Sequence, residues 1–141
     1  MMVLVDTSVW SLALRRKPTD LSSAEQVLKE ALRQLIREGR AQVVGPVRQE
    51  LLSGLREEAG FRRLRGYLRA FDEPQLRVED YEEAAQMNNA CRARGIAGSP
   101  TDFLICAVAH LRKWQVFTAD RDFKHYAKVV PLNLYEADDP R

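Results

Sequence analysis

Acidic side chains follow several apolar segments of this 141-residue chain, at points where a strand would end or a helix would begin. Asp6 and Asp120 each come directly after an apolar run, as strand ends do. Asp102 falls in the first turn of a helix that Ser99 and Pro100 would open. The acidic set found in this way is Asp6, Glu50, Asp102, Asp120 and Asp122.

These side chains are far apart in sequence, but an α/β fold would bring them together. The carboxyl ends of parallel strands and the starts of the following helices share one edge of a sheet, and ligands bind at that edge. Two carboxylates about 4 Å apart repel by roughly 4 kcal/mol at an effective dielectric of 20, so a crowded set would take up protons or a cation. A divalent metal held by carboxylates is typical of phosphoryl-transfer chemistry.

The elements that must position the acids alternate along the chain. The predicted strands are 3–6, 42–44, 115–118 and 129–134, with a weak candidate at 75–78. The predicted helices cover 9–16, 21–38, 57–71, 80–94, 100–112 and 122–126, and one more begins at Pro46. This alternation predicts an α/β fold with helices on both faces of a central parallel sheet. One domain is expected at 1–135, followed by a loose C-terminal tail at 136–141.

The composition, with 45% hydrophobic and 30% charged residues and a net charge of +2, is that of an ordinary soluble protein. The longest apolar stretch, 103–109, is far shorter than the ~20 residues that cross a bilayer. Asp6 also interrupts the apolar start before a signal peptide could form. Cys91 and Cys106 lack metal-binding spacing and are expected to be core thiols. A cytoplasmic protein without membrane association is therefore expected.

Each acidic residue also has an ordinary structural interpretation. Asp6 suits the N-cap of the next helix, and Asp102 would favour a helix dipole. Asp120 and Asp122 suit a turn, and Glu50 alone is a common type of solvated helix residue. Their joint placement favours a shared site, because few structural explanations require so many coincidences.

Four segments resemble, in order and spacing, the four motifs of the PIN-domain ribonucleases. They are 5–10 (VDTSVW), 47–54 (VRQELLSG), 100–109 (PTDFLICAVA) and 117–123 (FTADRDF). Each motif alone is weak, but four in series are a strong signal, and the resemblance spans about residues 3–134. Within that family the chain is most similar to the VapC toxins of toxin–antitoxin pairs. The resemblance implies a three-layer α/β/α PIN-like fold.

The same resemblance implies the site and its chemistry. The family's acidic quartet falls on Asp6, Glu50, Asp102 and Asp120, with Asp122 as a fifth member and Thr118 as the hydroxyl beside them. Asp6, Asp102 and Asp120 would hold Mg²⁺ or Mn²⁺, ions that take hard oxygen ligands. Glu50 and Asp122 would coordinate or orient the attacking water, and Thr118 would position a carboxylate or the phosphate. The chain is thus expected to be an endoribonuclease that uses metal-activated water.

The resemblance further implies a toxin that is silenced by a cognate antitoxin, forms a homodimer and cleaves structured RNA such as tRNA or rRNA.

An arginine-rich segment could contact the RNA or a protein partner. Its arginines are Arg56, Arg62, Arg63, Arg65 and Arg69. They fit a solvated helix face, a clamp for the RNA backbone or part of a protein interface.

Two other functions fit parts of the pattern. One is a PIN nuclease for RNA maturation or DNA flap cleavage. The small size of the chain and its single domain favour a toxin over this alternative. The other is a non-enzymatic receiver-like signalling module, which also has an acidic Mg²⁺ pocket. A receiver needs paired acids after its first strand, whereas Asp6 precedes Thr7 and Ser8, and the only Asp-Asp pair is Asp138-Asp139 in the predicted tail.

Overall fold

The computed structural model describes residues 1–137, in which helices lie on both sides of a three-stranded parallel sheet. The strands are β1 (Val3–Val5), β2 (Ala41–Gln42) and β3 (Gln115–Phe117). The helices are α1 (Thr7–Leu14), α2 (Ser23–Arg37), α3 (Gly45–Leu52), α4 (Glu58–Leu68), α5 (Val78–Ala93), α6 (Pro100–Arg112) and α7 (Asp122–Tyr126), with a 3₁₀ turn at Pro18–Asp20. The predicted α/β/α architecture with a central parallel sheet is confirmed.

The sheet has the order β2-β1-β3, so that the first strand of the chain is central. Val5 is paired with Phe117 in the parallel register of β1 and β3. The N–H of Asp6 then donates to the carbonyl of Phe117 at 2.9 Å, which continues the pairing one residue beyond the strand. Asp6 and Thr118 therefore leave the sheet side by side, at its carboxyl edge.

The helices bury the sheet and place the remaining site residues. In α2, the Ser22 hydroxyl and the Glu25 carboxylate form a capping box. Helix α6 contacts β1 and β3, packs against α5, and is buried along 103–109, as its apolar sequence predicts. Because α6 begins with Pro100 and is capped by the Ser99 hydroxyl, its first turn is fixed where Asp102 stands.

The weak strand prediction at 75–78 is wrong, because α5 begins at Val78. The Asp80 carboxylate accepts the N–H of Arg77 at 2.8 Å, which caps the helix start. The carbonyl of Gln75 accepts a hydrogen bond from the Arg112 side chain at 3.1 Å. Side chains thus satisfy backbone groups that a strand would have paired with a neighbouring strand.

The strand predicted at 129–134 is also wrong, apart from one bridge between Leu134 and Val116. The N–H groups of Val129 and Val130 both donate to the carbonyl of Tyr126, each at 2.9 Å, and so continue the turn after α7. Pro131 has no N–H to give to a sheet. The second strand ends at Gln42 instead of Val44 because Val44 is already the N-cap of α3.

Four further features bear on the predicted core, on membrane association and on the domain bounds. Cys91 and Cys106 are free and buried, as expected for core thiols. Trp10 is fully buried and donates its indole N–H to the carbonyl of Val5 at 3.1 Å. None of the helices within 1–137 is both long and apolar enough to cross a bilayer. The division into a domain at 1–135 and a tail at 136–141 stays a prediction, and residues 138–141 lie outside the described part of the chain.

Candidate active site

Asp6 is the buried centre of the site, with only 5% of its surface exposed. Although it occupies the N-cap position of α1, its side chain makes no capping hydrogen bond. Its Oδ2 instead accepts the hydroxyls of Ser8 at 2.7 Å and Thr118 at 2.9 Å. The N-cap interpretation therefore does not account for the Asp6 carboxylate, which is held by side chains from two parts of the chain.

Two hydroxyls connect the ends of β1 and β3. Ser8 accepts the N–H of Ala119 at 2.9 Å, and Thr118 accepts the N–H of Asp120 at 3.0 Å. Each hydroxyl thus donates to Asp6 and accepts from the loop after β3. Sequence analysis assigned Ser8 no part in the site, although its place two residues after Asp6 was a signal for this contact.

The loop after β3 carries two exposed acidic residues. Asp120 Oδ1 accepts the N–H of Asp122 at 2.9 Å. This bond is the turn interaction expected of an aspartate at such a position. Asp122 is the first residue of α7. The turn interpretation therefore holds for one oxygen of Asp120, and both residues also face the solvent beside the buried carboxylate.

Asp102 lies in the first turn of α6, half-buried, and its Oδ2 accepts the hydroxyl of Tyr126 at 2.7 Å. The backbone N–H of Asp102 donates to the Ser99 hydroxyl at 3.1 Å. Sequence reasoning missed Tyr126, whose one local signal is its position one helical turn after Asp122.

Electrostatics join these residues into one group. Burial raises the pKa of Asp6 above its usual range, and the hydrogen bonds from Ser8 and Thr118 oppose that rise. Burial also raises the pKa of Asp102, and the charges of Asp6 and Asp120 raise it further. Burial, followed by the bond to Asp102, raises the pKa of the Tyr126 hydroxyl as well, with contributions from Asp122 and Asp120. The four aspartates therefore share one region of negative potential.

Glu50 stands at the rim. It is exposed on α3, and its Oε2 accepts the hydroxyl of Thr7 at 2.7 Å. Because Thr7 directly follows Asp6, this bond fixes Glu50 near the start of α1. The structure thus links Glu50 to the group through a neighbour of Asp6.

A divalent metal fits the chemistry of these side chains, which offer carboxylate and hydroxyl oxygens. Burial disfavours the charged forms of Asp6 and Asp102, the charges of Asp6 and Asp120 add to this effect at Asp102, and a cation would relieve both effects. Across 1–137, no group of three acidic, histidine or cysteine side chains forms a ready-made metal cage. Mg²⁺ keeps several waters and takes one or two carboxylates directly, so two of these carboxylates would be enough to hold it.

The arginine-rich segment is largely solvent-exposed. Arg62 pairs with Glu58 at 3.1 Å, and the Arg65 guanidinium lies 5.7 Å from the centre of the Phe61 ring. Arg56, Arg63 and Arg69 are exposed, and Arg56 precedes α4 in the loop after α3. Arg63 lines a groove between α1 and α4 together with Arg15, Leu55, Leu64 and Tyr67.

A family model and several solved structures match this chain. The model of the PIN domain matches residues 3–129. Among solved structures, VapBC2 from Rickettsia felis, bound to a DNA fragment from their promoter, has a TM-score of 0.75 at 17% identity, covering 98% of this chain and 100% of that one. FitAcB from Neisseria gonorrhoeae has a TM-score of 0.74 at 20% identity, covering 96% and 98%. A toxin–antitoxin complex from Klebsiella pneumoniae has 0.66 at 17%, covering 86% and 89%.

The curated proteins contain no significant match to the sequence. At these identities the solved structures show a shared fold, and they agree with the resemblance to VapC toxins. The family model covers most of the chain and includes Asp6, Glu50, Asp102 and Asp120. The chain therefore belongs to the PIN-domain family.

Proposed function

We propose that this protein is a Mg²⁺- or Mn²⁺-dependent endoribonuclease and the toxin of a toxin–antitoxin pair. The observation that supports it most is the setting of Asp6, a buried carboxylate that two hydroxyls from different parts of the chain hold in one orientation. Family membership adds support, because PIN nucleases are generally hydrolytic and generally use divalent metals. Burying a carboxylate is costly unless a cation or hydrogen bonds compensate it, and within 1–137 Asp6 accepts hydroxyls but has no salt bridge of the kind that Arg112 gives to the buried Asp80.

The proposed chemistry assigns each of these side chains a role. Asp6, Asp102 and Asp120 would hold the cation, one or two of them directly and the rest through water, and when bound, the cation would supply hydroxide near neutral pH and neutralise charge on the phosphate. Ser8 and Thr118 hold the Asp6 carboxylate in one orientation. Glu50 and Asp122 are exposed, so they are placed to orient water or to bind the cation through water.

Water is the proposed nucleophile because the chain offers no paired histidines for attack by the RNA 2′-hydroxyl. His110 is eight residues after Asp102 on α6, which puts it roughly 12 Å along the helix axis at 1.5 Å per residue. His125 lies on α7 beside Asp122 and has no second histidine near it in sequence. In-line attack by water leaves a 5′-phosphate and a 3′-hydroxyl.

The proposed partners are an antitoxin protein, an RNA substrate and a second copy of the chain. The solved neighbours include complexes with antitoxins, which favours the first of these. The groove beside Arg63 has apolar walls and an exposed Tyr67, features that suit a protein segment, and the exposed arginines of α4 suit phosphates. Structured RNA in the cytoplasm is the proposed target.

The proposal is tested with Asp6→Asn and, as a matched control, Asp20→Asn, which neutralises an exposed carboxylate in the 3₁₀ turn. Purified proteins are incubated with structured RNA and with flap DNA, with and without Mg²⁺. Wild type and Asp20→Asn should cleave RNA only with Mg²⁺, and Asp6→Asn should not cleave. Without Mg²⁺, Asp6→Asn should melt at the same temperature as wild type or higher, because it removes repulsion.

Three outcomes would contradict the proposal. Cleavage of flap DNA alone would favour the DNA-processing alternative. Phosphorylation by acetyl phosphate without cleavage would favour the receiver-like module. If Mg²⁺ leaves the melting temperature of wild type unchanged and Asp6→Asn is unfolded, the Asp6 carboxylate is a structural cap.

A further inference from the structure

Tyr126 lies outside the four sequence motifs, and its side chain contacts the acidic group at Asp102. It is fully buried at the end of α7, and its hydroxyl donates to Asp102 Oδ2 at 2.7 Å. Its ring packs on Phe103 and Phe123, with ring centres 5.0 and 5.2 Å apart. Two aromatic neighbours thus fix where the hydroxyl points.

Gly98 makes room for this hydroxyl. A Cβ at Gly98 would lie 2.6 Å from the Tyr126 hydroxyl oxygen, 2.8 Å from its Cζ and 2.9 Å from Cε2 of Phe103. Those distances are too short for any real contact, and the ring atoms are packed and cannot move freely. Any larger residue at 98 would therefore push the phenol away from Asp102.

Asp102 is consequently held at two points. The Ser99 hydroxyl accepts its backbone N–H at 3.1 Å, which fixes the first turn of α6. The Tyr126 hydroxyl holds the carboxylate itself and occupies Oδ2. These two bonds fix the side chain in one orientation, and Oδ1 is the carboxylate oxygen that the Tyr126 bond leaves open to a cation.

We propose that Tyr126 is a positioning residue for metal binding: its hydroxyl orients the Asp102 carboxylate toward a divalent cation, and Gly98 makes the close approach possible. The inference rests on the proposed metal-dependent nuclease. Ligating carboxylates in metal sites are themselves oriented by outer hydrogen-bond donors, and loss of such a donor weakens metal affinity by roughly 10- to 100-fold. Tyr126 is not itself a proposed metal ligand, and it acts on the cation only through Asp102.

The test measures Mn²⁺ binding to the whole chain by isothermal titration calorimetry. Tyr126→Phe keeps the ring and removes the hydroxyl, and Tyr135→Phe removes the same group from a ring that packs on Phe117 instead. We expect Tyr126→Phe to bind Mn²⁺ about 10-fold more weakly, and Tyr135→Phe to bind as wild type does. In EDTA, Tyr126→Phe should melt within about 5 °C of wild type, as expected for one lost hydrogen bond.

Two further readouts separate positioning from simple structural support. The RNA-cleavage rate of Tyr126→Phe should fall at low Mn²⁺ and recover at saturating Mn²⁺, while the KM for RNA stays unchanged. Gly98→Ala, which keeps the phenol but displaces it, should show the same loss of Mn²⁺ affinity.

The outcomes distinguish the positioning role of Tyr126 from the proposed metal-dependent nuclease activity. A wild type that cleaves RNA and binds Mn²⁺, beside a Tyr126→Phe chain with equal affinity, would overturn the positioning role alone. A Tyr126→Phe chain that melts far below wild type in EDTA would overturn it too, by making the hydroxyl structural. A wild type that neither binds Mn²⁺ nor cleaves RNA would overturn both.

Discussion

At the scale of single residues, the site depends on hydroxyls as much as on carboxylates. Thr118 donates to Asp6 Oδ2 at 2.9 Å and accepts the N–H of Asp120 at 3.0 Å, so one oxygen links two acids that are 114 residues apart in the numbering. Ser8 makes the parallel link to Ala119. The two hydroxyls therefore set the orientation of the Asp6 carboxylate and fasten it to the loop after β3.

Thr118→Val tests this arrangement, because valine has nearly the same shape and no hydroxyl. Both hydrogen bonds are lost: the buried Asp6 carboxylate keeps its bond from Ser8 but loses the one from Thr118, and the Asp120 N–H loses its acceptor. We expect the free energy of unfolding to fall by about 1–3 kcal/mol and RNA cleavage to fall strongly. Chemical denaturation and a cleavage assay measure the two effects. Thr118→Ser, which restores the hydroxyl, should recover most of the activity, and a Thr118→Val chain as active as wild type would contradict the assigned role.

At the scale of elements, local patterns predicted most of the fold. Helices α2 and α6 were predictable because a capping serine and a long apolar pattern coincide in each. The strands predicted at 75–78 and 129–134 failed because distant groups decide those segments. Arg112 and Asp80 satisfy the backbone at the first, and the turn after α7 takes the N–H groups of the second.

The same distinction applies to the site. Strand ends and helix starts predicted the positions of Asp6 and Asp102, since parallel strands and their following helices share an edge. The partners of these residues were not predictable from spacing. Tyr126 reaches Asp102 across 24 residues, and only the packing of α7 against α6 brings them together. Sequence patterns thus located the acids but not the donors that hold them.

Asp80 and Arg112 form a structural ion pair that fastens the start of α5 to the end of α6. The Arg112 guanidinium donates to both carboxylate oxygens, at 2.7 and 3.0 Å, and Asp80 is 2% exposed. The hydrogen bonds from Arg112 hold the pKa of Asp80 below its usual range, although burial opposes them. The pair ties together two helices whose packing positions Asp102.

The pH dependence of stability follows from that lowered pKa. Because the folded pKa lies below the unfolded value of about 3.9, the stabilisation is present above pH 3.9 and is lost as pH falls through the folded pKa. Asp80→Asn should cost about 1.5–3 kcal/mol at pH 7, and the difference from wild type should shrink below about pH 4. Urea denaturation at several pH values measures this. A difference that stays constant down to pH 2 would contradict the ion pair's role.

At the scale of the whole molecule, charge is segregated although the net charge is only +2. The four aspartates of the candidate site lie at the carboxyl edge of the sheet. The arginines of the arginine-rich segment lie on α4, in the loop before it and at its C-cap. Such a cationic surface would bind RNA phosphates or an acidic partner. The two interpretations differ in how a single arginine affects the salt dependence of RNA binding.

Arg63→Ala distinguishes them, with Arg37→Ala on α2 as the control arginine. If Arg63 contacts a phosphate, RNA affinity should fall, and the slope of log affinity against log salt should flatten by about 0.7. Fluorescence anisotropy at several salt concentrations measures both quantities. An unchanged slope, combined with weaker binding to a cognate antitoxin, would assign Arg63 to the protein interface instead.

The most direct test of the metal-dependent account is the chemistry of the RNA ends. Wild-type protein is incubated with an RNA substrate, and with the same RNA carrying a 2′-deoxy nucleotide at the scissile position, in Mg²⁺ or in EDTA. Mass spectrometry of the fragments should show 5′-phosphates and 3′-hydroxyls in Mg²⁺ with both substrates, and no cleavage in EDTA. A 2′,3′-cyclic phosphate that persists in EDTA would contradict the account, because that product requires attack by the 2′-hydroxyl and no metal.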